Sequence, residues 1–265
     1  MSREALITGA SSGIGKSIAR LLAKEGWNLV LVGRNHQVLD ALRSEFNVLN
    51  EVKIKIIDAD LAEDGAAEQV FREAEEFGIS IDLLVNCAGF GDLGLFAECD
   101  PKKQAEMIHV NDISLTLLTR YFLPGMIERR SGKILNVASV ASFQPGPLMS
   151  VYYASKAFVL SFTEALDVEL RGTGVTVSAL CPGPTNTRFA ETANATGKNV
   201  FKQSSSADPD AIAAYGIRKA MRGKVIIVCG TPFKLAIFFE RFMPRSSIRK
   251  MIYKIQKKSV PDGKN

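Results

Sequence analysis

The sequence has few cysteines, and no two of them stand close together. The four are Cys87, Cys99, Cys181 and Cys229. A structural zinc site needs ligand pairs a few residues apart, so this spacing excludes one. Three of the cysteines end apolar stretches, where a small buried thiol packs well. We therefore expect reduced thiols in a cytoplasmic protein, with no bound metal.

The sequence also lacks a hydrophobic run long enough to cross a membrane. Pro232 and Lys234 interrupt the longest apolar stretch near the C-terminus, which stays well short of the ~20 residues that a spanning helix needs. The chain starts with MSREALITG, which leads directly into a predicted strand. Because a signal peptide needs a cationic segment followed by an apolar one, we expect none here.

No linker rich in proline, glycine or serine divides the 265 residues, and no internal repeat is visible. A chain of this length can bury one sizeable core. We therefore expect one main domain over residues 1–231 and a C-terminal extension over residues 232–265 that packs on or beside it.

The net charge of +5 is unevenly distributed. From Lys234 onward the chain has nine basic and two acidic residues, a surplus of seven, which leaves the preceding part at −2. Apolar residues alternate with these cations in amphipathic stretches interrupted at Pro244. The tail is either a helical cover over a cleft or a surface for anionic lipid or an acidic carrier. No nucleic-acid-binding motif accompanies the charge, so we expect no such partner.

Short stretches rich in Val, Ile and Leu alternate with longer amphipathic ones. Strands apolar on both faces suit a parallel sheet with helices on either side. The pattern predicts an α/β fold with a doubly wound, parallel, seven-stranded sheet of the Rossmann type. The predicted strands are ALIT, NLVLVG, VKIKIID, IDLLVN, KILNVAS, VTVSAL and KVIIVC. The predicted helices are Ile14 to Glu25, Gln37 to Phe46, Ala66 to Phe77, Gln104 to Phe122, Val151 to Leu170 and Asp208 to Met221.

A glycine-rich turn, TGASSGIG, joins the first predicted strand to the first predicted helix. Gly9, Gly13 and Gly15 in this turn would let the backbone approach a pyrophosphate and aim the N–H groups of the helix at it. The alternative is a turn with only a structural role.

Two adjacent tyrosines and a lysine occur in the stretch VYYASKAF. On a helix, Tyr152 and Lys156 share a face, while Tyr153 is rotated from Tyr152 by about 100°. The spacing favours Tyr152 as the partner of the lysine without excluding Tyr153. The alternative is one aromatic ring packed inward beneath the stem of the lysine.

Several motifs occur in the order found in short-chain dehydrogenases/reductases: TGASSGIG, NCAG, Asn111, Ser139, YYASK and PGPTNT. The chain resembles this family from about Glu4 to Thr187, and more loosely through the seventh strand. The resemblance implies an oxidoreductase that acts on alcohol and carbonyl groups with a nicotinamide cofactor.

The resemblance also implies roles for the catalytic residues. Tyr152 matches the family pattern Tyr-x-x-x-Lys and would be the proton donor and acceptor, while Tyr153 packs. A phenol is a poor acid or base at neutral pH, and a nearby cation such as Lys156 stabilises its phenolate. Lys156 would also hold the ribose hydroxyls of the cofactor. Ser139 would hydrogen-bond the substrate oxygen, and Asn111 would support a water chain to Lys156.

The end of the second strand favours NADP(H) as the cofactor. An NAD-dependent enzyme generally has an acidic residue there, but this chain has Gly33 and Arg34. The Arg34 guanidinium can bind a 2′-phosphate, with Ser11 and Asn35 as neighbours; the alternative is a solvated arginine. The resemblance implies further cofactor contacts with Gly9, Ser12, Gly13, Ile14, Gly15, Asp60, Leu61, Asn86, Ala88, Gly89, Tyr152, Lys156, Pro182, Gly183 and Thr187.

Two positions depart from the family pattern. Cys87 stands where the family usually has a second asparagine. Asp112 and Ser114 stand where small or apolar residues usually follow the active-site asparagine.

The function predicted from the sequence is NADPH-dependent, reversible reduction of a carbonyl on a hydrophobic ketone. The alternatives are a 3-oxoacyl thioester reductase and a non-catalytic NADPH-binding sensor, although a sensor would not need Ser139, Tyr152 and Lys156. The segment from Arg188 to Ala207 is rich in small polar residues, which is typical of a mobile lid. We expect a homo-oligomer, and the tail is the candidate for peripheral membrane contact.

Overall fold

Seven parallel strands form a single sheet with the order β3-β2-β1-β4-β5-β6-β7. The computed structural model describes residues 3–48, 52–195 and 207–260. The strands are β1 (Glu4–Thr8), β2 (Asn28–Gly33), β3 (Ile54–Asp58), β4 (Leu83–Asn86), β5 (Gly132–Val137), β6 (Val175–Cys181) and β7 (Ile226–Val228). The predicted α/β, doubly wound, Rossmann-type sheet in a single domain is confirmed.

Ten α-helices lie within the described ranges. They are α1 (Gly13–Lys24), α2 (His36–Asn47), α3 (Ala66–Glu76), α4 (Pro101–Ile108), α5 (Leu115–Glu128), α6 (Ser150–Glu169), α7 (Phe189–Thr192), α8 (Pro209–Ala220), α9 (Thr231–Glu240) and α10 (Arg245–Lys257). The helix predicted from Gln104 to Phe122 is present, but it is longer than predicted and contains a π-helical turn. A π-helical turn, His109–Ser114, separates α4 from α5, and α5 continues to Glu128.

The helices cover both faces of the sheet because residues that alternate along each strand point to opposite faces. On β1, Ala5 and Ile7 pack into a core with α1, α2 and α8. Leu6, between them, packs into a second core with α3, α5 and α6. All three side chains are fully buried. This two-sided burial explains why the strands are apolar on both faces.

The two C-terminal helices differ in how they contact the rest of the chain. Helix α10 buries Ile248, Ile252 and Gln256, and the first two belong to a small core that also contains Tyr153. Helix α9 buries none of its residues. No helix within the described residues is both long and apolar enough to cross a membrane.

Candidate active site

A cavity of about 470 Å³ lies at the carboxyl edge of the sheet. The strand order reverses between β1 and β4, and open α/β sheets bind their ligands at such a point. Most of the predicted site residues line this cavity: Gly9, Ser11, Ser12, Gly13, Ile14, Gly15, Arg34, Asp60, Leu61, Ala88, Gly89, Ser139, Tyr152, Lys156, Pro182, Gly183 and Thr187.

The glycine-rich turn has no room for side chains at two of its glycines. A Cβ on Gly15 would clash with the carbonyl oxygen of Gly9. A Cβ on Gly9 would lie 2.9 Å from the Cα of Ala88, and the φ of Gly9 is +65°. Ser12, which precedes α1, makes no side-chain cap. The bare N-terminus of α1 therefore faces the cavity, an arrangement that fits a pyrophosphate.

Two residues predicted to contact the cofactor have side chains that bind other protein groups, and neither residue lines the cavity. The Asn35 side chain caps α2 by accepting from the backbone N–H of Val38 at 3.1 Å. The Asn86 side chain donates to Thr119 Oγ1 at 3.1 Å and to Asn136 Oδ1 at 2.9 Å, beneath the site. Their side chains are held by these protein contacts, which sequence motifs alone did not reveal.

Asn111 lies in the π-helical turn and is fully buried. Its side chain accepts from the N–H of Phe90 and donates to the carbonyl oxygen of Phe90, both at 3.1 Å. It also donates to Ser155 Oγ at 2.9 Å. The residue does not line the cavity, yet a Cβ on Gly89 would lie 2.9 Å from Asn111 Oδ1 and 3.3 Å from Lys156 Nζ. Asn111 thus lies near Lys156, on the side of Gly89 that faces away from the cavity.

Ser139 and Tyr152 present their hydroxyl groups to each other within the cavity wall. Ser139 follows β5 and caps a short 3₁₀ turn by accepting from the N–H of Ala141 at 3.1 Å. Burial raises the pKa of Tyr152 to about 12, while the hydrogen bond with Ser139 opposes this change. The phenol therefore keeps its proton at neutral pH.

Lys156 is buried, with its Nζ 6.0 Å from the centre of the Tyr152 ring. This nitrogen donates to the carbonyl oxygen of Val137 at 2.8 Å. Burial lowers the pKa of Lys156, and neighbouring thiols and a carboxyl raise it. Burial is the largest cause of the raised pKa of Tyr152, and the ammonium of Lys156 lies on the same face of α6, held by a backbone carbonyl.

Arg34 lies at the edge of the cavity, directly after β2. Its Nη1 is 3.5 Å from Asp60 Oδ2, and 70% of its side chain is exposed. Gly33 precedes it, and a Cβ there would lie 3.9 Å from Ser11 Oγ. The guanidinium of Arg34 and the hydroxyl of Ser11 therefore approach the cavity from neighbouring elements. The ion pair between Arg34 and Asp60 is exposed and contributes little to stability.

The far side of the cavity is lined mainly by aromatic and aliphatic side chains. Phe189 on α7 packs against Tyr152, with 5.1 Å between the ring centres. Phe233 at the start of α9 approaches Gly183, and Ile252 and Ile255 on α10 complete this wall. The motifs did not single these residues out as site residues, because an apolar helix face shows burial but not what it covers.

The expected lid lies only partly within the described residues. Its first part contains α7, whose C-terminal end is fixed by a hydrogen bond from the N–H of Leu93 to the carbonyl oxygen of Ala193 at 2.9 Å. Residues 196–206 of the expected lid lie outside the described ranges.

Asp112 and Ser114, which depart from the family pattern, differ from each other in their hydrogen bonds. Ser114 Oγ donates to the carbonyl oxygen of Leu61 at 2.7 Å. Asp112 Oδ1 is buried without a hydrogen-bond partner within the described part of the chain. Burial raises the pKa of Asp112 to about 6, opposed by the Lys156 cation. Asp112 therefore carries an electrostatic cost when it ionises.

Comparisons with known proteins agree with this architecture. A family model described as short chain dehydrogenase matches residues 3–198. The chain is 35% identical over 191 residues to the very-long-chain 3-oxoacyl-CoA reductase of Bos taurus, an alignment that covers 71% of this chain and 61% of that relative. The chain thus spans about six tenths of that relative's length.

Solved structures match over almost the entire chain. A short-chain dehydrogenase from Sphingobium yanoikuyae in complex with NADPH has a TM-score of 0.82 and 29% identity, with 95% of each chain covered. A 7beta-hydroxysteroid dehydrogenase has a TM-score of 0.85 and 26% identity, with 95% of this chain and 96% of that chain covered.

Proposed function

The chain belongs to the short-chain dehydrogenase/reductase family, and on this basis we propose that it reduces the carbonyl of an apolar ketone with NADPH. The reverse alcohol oxidation proceeds at the same site. The observation that carries the proposal is the meeting of Ser139, Tyr152 and Lys156 in one cavity with the glycine-rich turn.

In the proposed reaction, a nicotinamide bound in this cavity supplies the hydride. Ser139 donates a hydrogen bond to the substrate oxygen and so holds the carbonyl beside Tyr152. Tyr152 then donates its proton to the same oxygen as negative charge develops there. Lys156, held by the Val137 carbonyl oxygen, faces the developing phenolate and stabilises it. Asn111 keeps the wall behind Lys156 in position through its contacts with Phe90.

The preference for NADPH rests on Arg34. The end of β2 carries no acidic residue that would repel a 2′-phosphate, and Arg34 reaches the cavity edge with most of its side chain exposed. A guanidinium offers a planar set of donors to phosphate. The solved relative in complex with NADPH is compatible with this choice.

The apolar substrate class rests on the walls contributed by Phe189, Phe233, Ile252 and Ile255. A free hydrophobic ketone is the first choice. A 3-oxoacyl thioester is the second, and the similarity to the very-long-chain 3-oxoacyl-CoA reductase of Bos taurus favours it.

The test is the oxidation of NADPH and of NADH across matched ketones: hydrophobic monoketones, ketosteroids, 3-oxoacyl thioesters and sugars. We expect turnover of hydrophobic ketones with NADPH and much less with NADH. Turnover of thioesters alone would favour the second substrate class. Tight NADPH binding without turnover of any substrate would favour a sensor, and absence of NADPH binding would contradict the proposal.

We also propose that the exposed helix α9 contacts an anionic membrane surface. Its side chains Leu235, Phe238 and Phe239 are about half exposed, and Phe242, which follows the helix, is 74% exposed. Exposed apolar patches mark interaction surfaces, and apolar side chains beside cations suit an anionic lipid surface. Lys234 and Arg241 flank the aromatic side chains. Helix α10 and Phe233 at the start of α9 line the cavity, and the exposed side chains of α9 are the ones that we assign to the membrane.

We also propose that the protein forms a homo-oligomer through α6. Helix α6 leaves Phe158 43% exposed and Val168 56% exposed, which suits a contact between two copies. Light scattering coupled to gel filtration would test it, and a monomer at micromolar concentration would contradict it.

A further inference from the structure

Tyr153 carries the second phenol of the cavity, and the proposed proton transfer does not use it. Its ring centre lies 6.1 Å from that of Tyr152, and the two rings are inclined at 78°. Tyr153 is only 9% exposed and Gln256 only 6%, yet both line the cavity. Gln256 Nε2 donates to the Tyr153 hydroxyl oxygen at 2.7 Å.

Because of this hydrogen bond, the Tyr153 hydroxyl oxygen acts as an acceptor and its hydrogen remains available to a ligand. The amide of Gln256 occupies a lone pair on the phenol oxygen, so the phenol hydrogen is left to donate elsewhere. Within residues 3–48, 52–195 and 207–260, the only hydrogen bond of the Tyr153 hydroxyl is the one that it accepts from Gln256. A buried donor without an acceptor costs free energy, and a bound ligand that supplies an acceptor recovers it.

The surroundings of this pair are mainly apolar, with one carboxyl nearby: the charge of Glu240 raises the pKa of Tyr153, in addition to burial. Tyr153 packs with Leu93, Met149, Ile248 and Ile252 in one small core. An isolated polar group in an apolar pocket fixes the orientation of a ligand by pairing with one of its polar atoms.

We propose that the Tyr153–Gln256 pair forms a second recognition subsite, which binds an acceptor oxygen remote from the reacting carbonyl. This inference rests on the proposed function and narrows its substrate class to apolar ketones with a further carbonyl or ether oxygen. Tyr153 is a specificity-determining residue here, and Gln256 is the residue that orients it.

The experiment compares 2-alkanones with diketones of the same chain length, from 2,5-hexanedione to 2,10-undecanedione. The kcat/KM of the intact chain is measured with NADPH. Binding of each ketone is measured separately by calorimetry in the presence of NADP⁺, which permits no reduction. The variants are Tyr153→Phe, Gln256→Leu and, as a matched control on the outer face of α10, Tyr253→Phe. Thermal unfolding confirms that each variant is folded.

We expect at least one diketone to exceed its matched alkanone by about 4- to 20-fold: about two-fold because it presents two equivalent carbonyls, and about 2- to 10-fold from a neutral hydrogen bond. Tyr153→Phe should reduce this preference to about two-fold and affect the alkanone much less. Gln256→Leu should reduce the preference for the diketone in part, and Tyr253→Phe should retain that preference.

The subsite is refuted if no diketone binds more than about two-fold better than its alkanone, or if Tyr153→Phe weakens both ligands equally. Calorimetry could show a preference for the diketone that depends on Tyr153 while no ketone is reduced. That result would support the subsite and contradict the reductase function. A preference that Tyr153→Phe leaves intact would also overturn the subsite, since another group would then bind the second oxygen.

Discussion

Tyr152 and Lys156 lie one turn apart on α6, with the lysine Nζ 6.0 Å from the centre of the tyrosine ring. The neighbouring Tyr153 instead accepts a hydrogen bond from Gln256 on α10. The two adjacent tyrosines therefore contact different partners: one approaches Ser139 and Lys156, and the other approaches the C-terminal helix. A shift of one residue would exchange their positions on the helix, so the spacing of Tyr152 and Lys156 sets which phenol can serve the reaction.

Replacing Arg34 with alanine should weaken NADPH binding and leave NADH binding nearly unchanged. Loss of a charge-assisted contact with phosphate costs about 1.5–3 kcal/mol, which corresponds to about 10- to 150-fold in affinity. Fluorescence titration with each cofactor measures the ratio of the affinities for NADPH and NADH. Arg43→Ala is the control, because Arg43 pairs with Asp40 on α2 away from the cavity. An unchanged NADPH/NADH ratio would remove Arg34 from the 2′-phosphate site.

Replacing Gly15 with alanine should destabilise the glycine-rich turn and weaken cofactor binding, since the new Cβ would clash with the carbonyl oxygen of Gly9. Crowding of this kind costs about 1–3 kcal/mol. Thermal unfolding and cofactor titration measure both effects. Gly125→Ala, within α5, is the control and should stabilise by about 0.5–1 kcal/mol, because alanine is the better helix former there. Equal behaviour of the two variants would contradict the packing argument.

Replacing Asp112 with asparagine should stabilise the protein at pH 7 and much less at pH 4. Burial raises the pKa of Asp112 to about 6 from its ordinary value of 3.8. The folded state therefore holds the proton more tightly than the unfolded state, so stability is lost as pH rises between these values. Two pKa units correspond to about 3 kcal/mol, which partial exposure reduces to about 1–2 kcal/mol.

Thermal unfolding of the wild type and Asp112→Asn at both pH values measures this gain. The exposed Glu169→Gln change on α6 serves as the control and should produce no comparable difference. A gain that is equal at pH 4 and pH 7 would show that the ionisation of Asp112 is not its cause.

Helix α9 should bind anionic vesicles in a salt-sensitive manner. Each cation near the surface contributes about 1 kcal/mol, and added salt screens it. Co-sedimentation with anionic and neutral vesicles at low and physiological salt measures this. Joint replacement of Phe238, Phe239 and Phe242 by serine should abolish pelleting. Phe96→Ser, at another exposed aromatic that is 66% exposed, should not. Equal, negligible pelleting of the wild type in every condition would refute the membrane contact.

The sequence was sufficient to predict the sheet, and most of the site residues that it predicted line the cavity. Strands buried on both faces have an unmistakable composition, and the glycine-rich turn must follow the first of them. The π-helical turn was not predictable in this way, since the contacts of Asn111 with Phe90 join segments that are distant in the sequence. The same holds for Gln256, whose partner Tyr153 lies on another helix. Long-range polar contacts leave no periodic signal in a sequence.

The most direct test of the proposed chemistry is the steady-state oxidation of NADPH with a hydrophobic monoketone by Tyr152→Phe and Tyr153→Phe. Both substitutions remove one buried hydroxyl from α6, so each is the control for the other. Tyr152→Phe should lower turnover about 10²- to 10⁴-fold with cofactor affinity nearly intact, the usual magnitude for a lost acid–base group. Tyr153→Phe should leave turnover of a monoketone close to that of the wild type. The opposite ranking would contradict the assignment of Tyr152 as the proton donor.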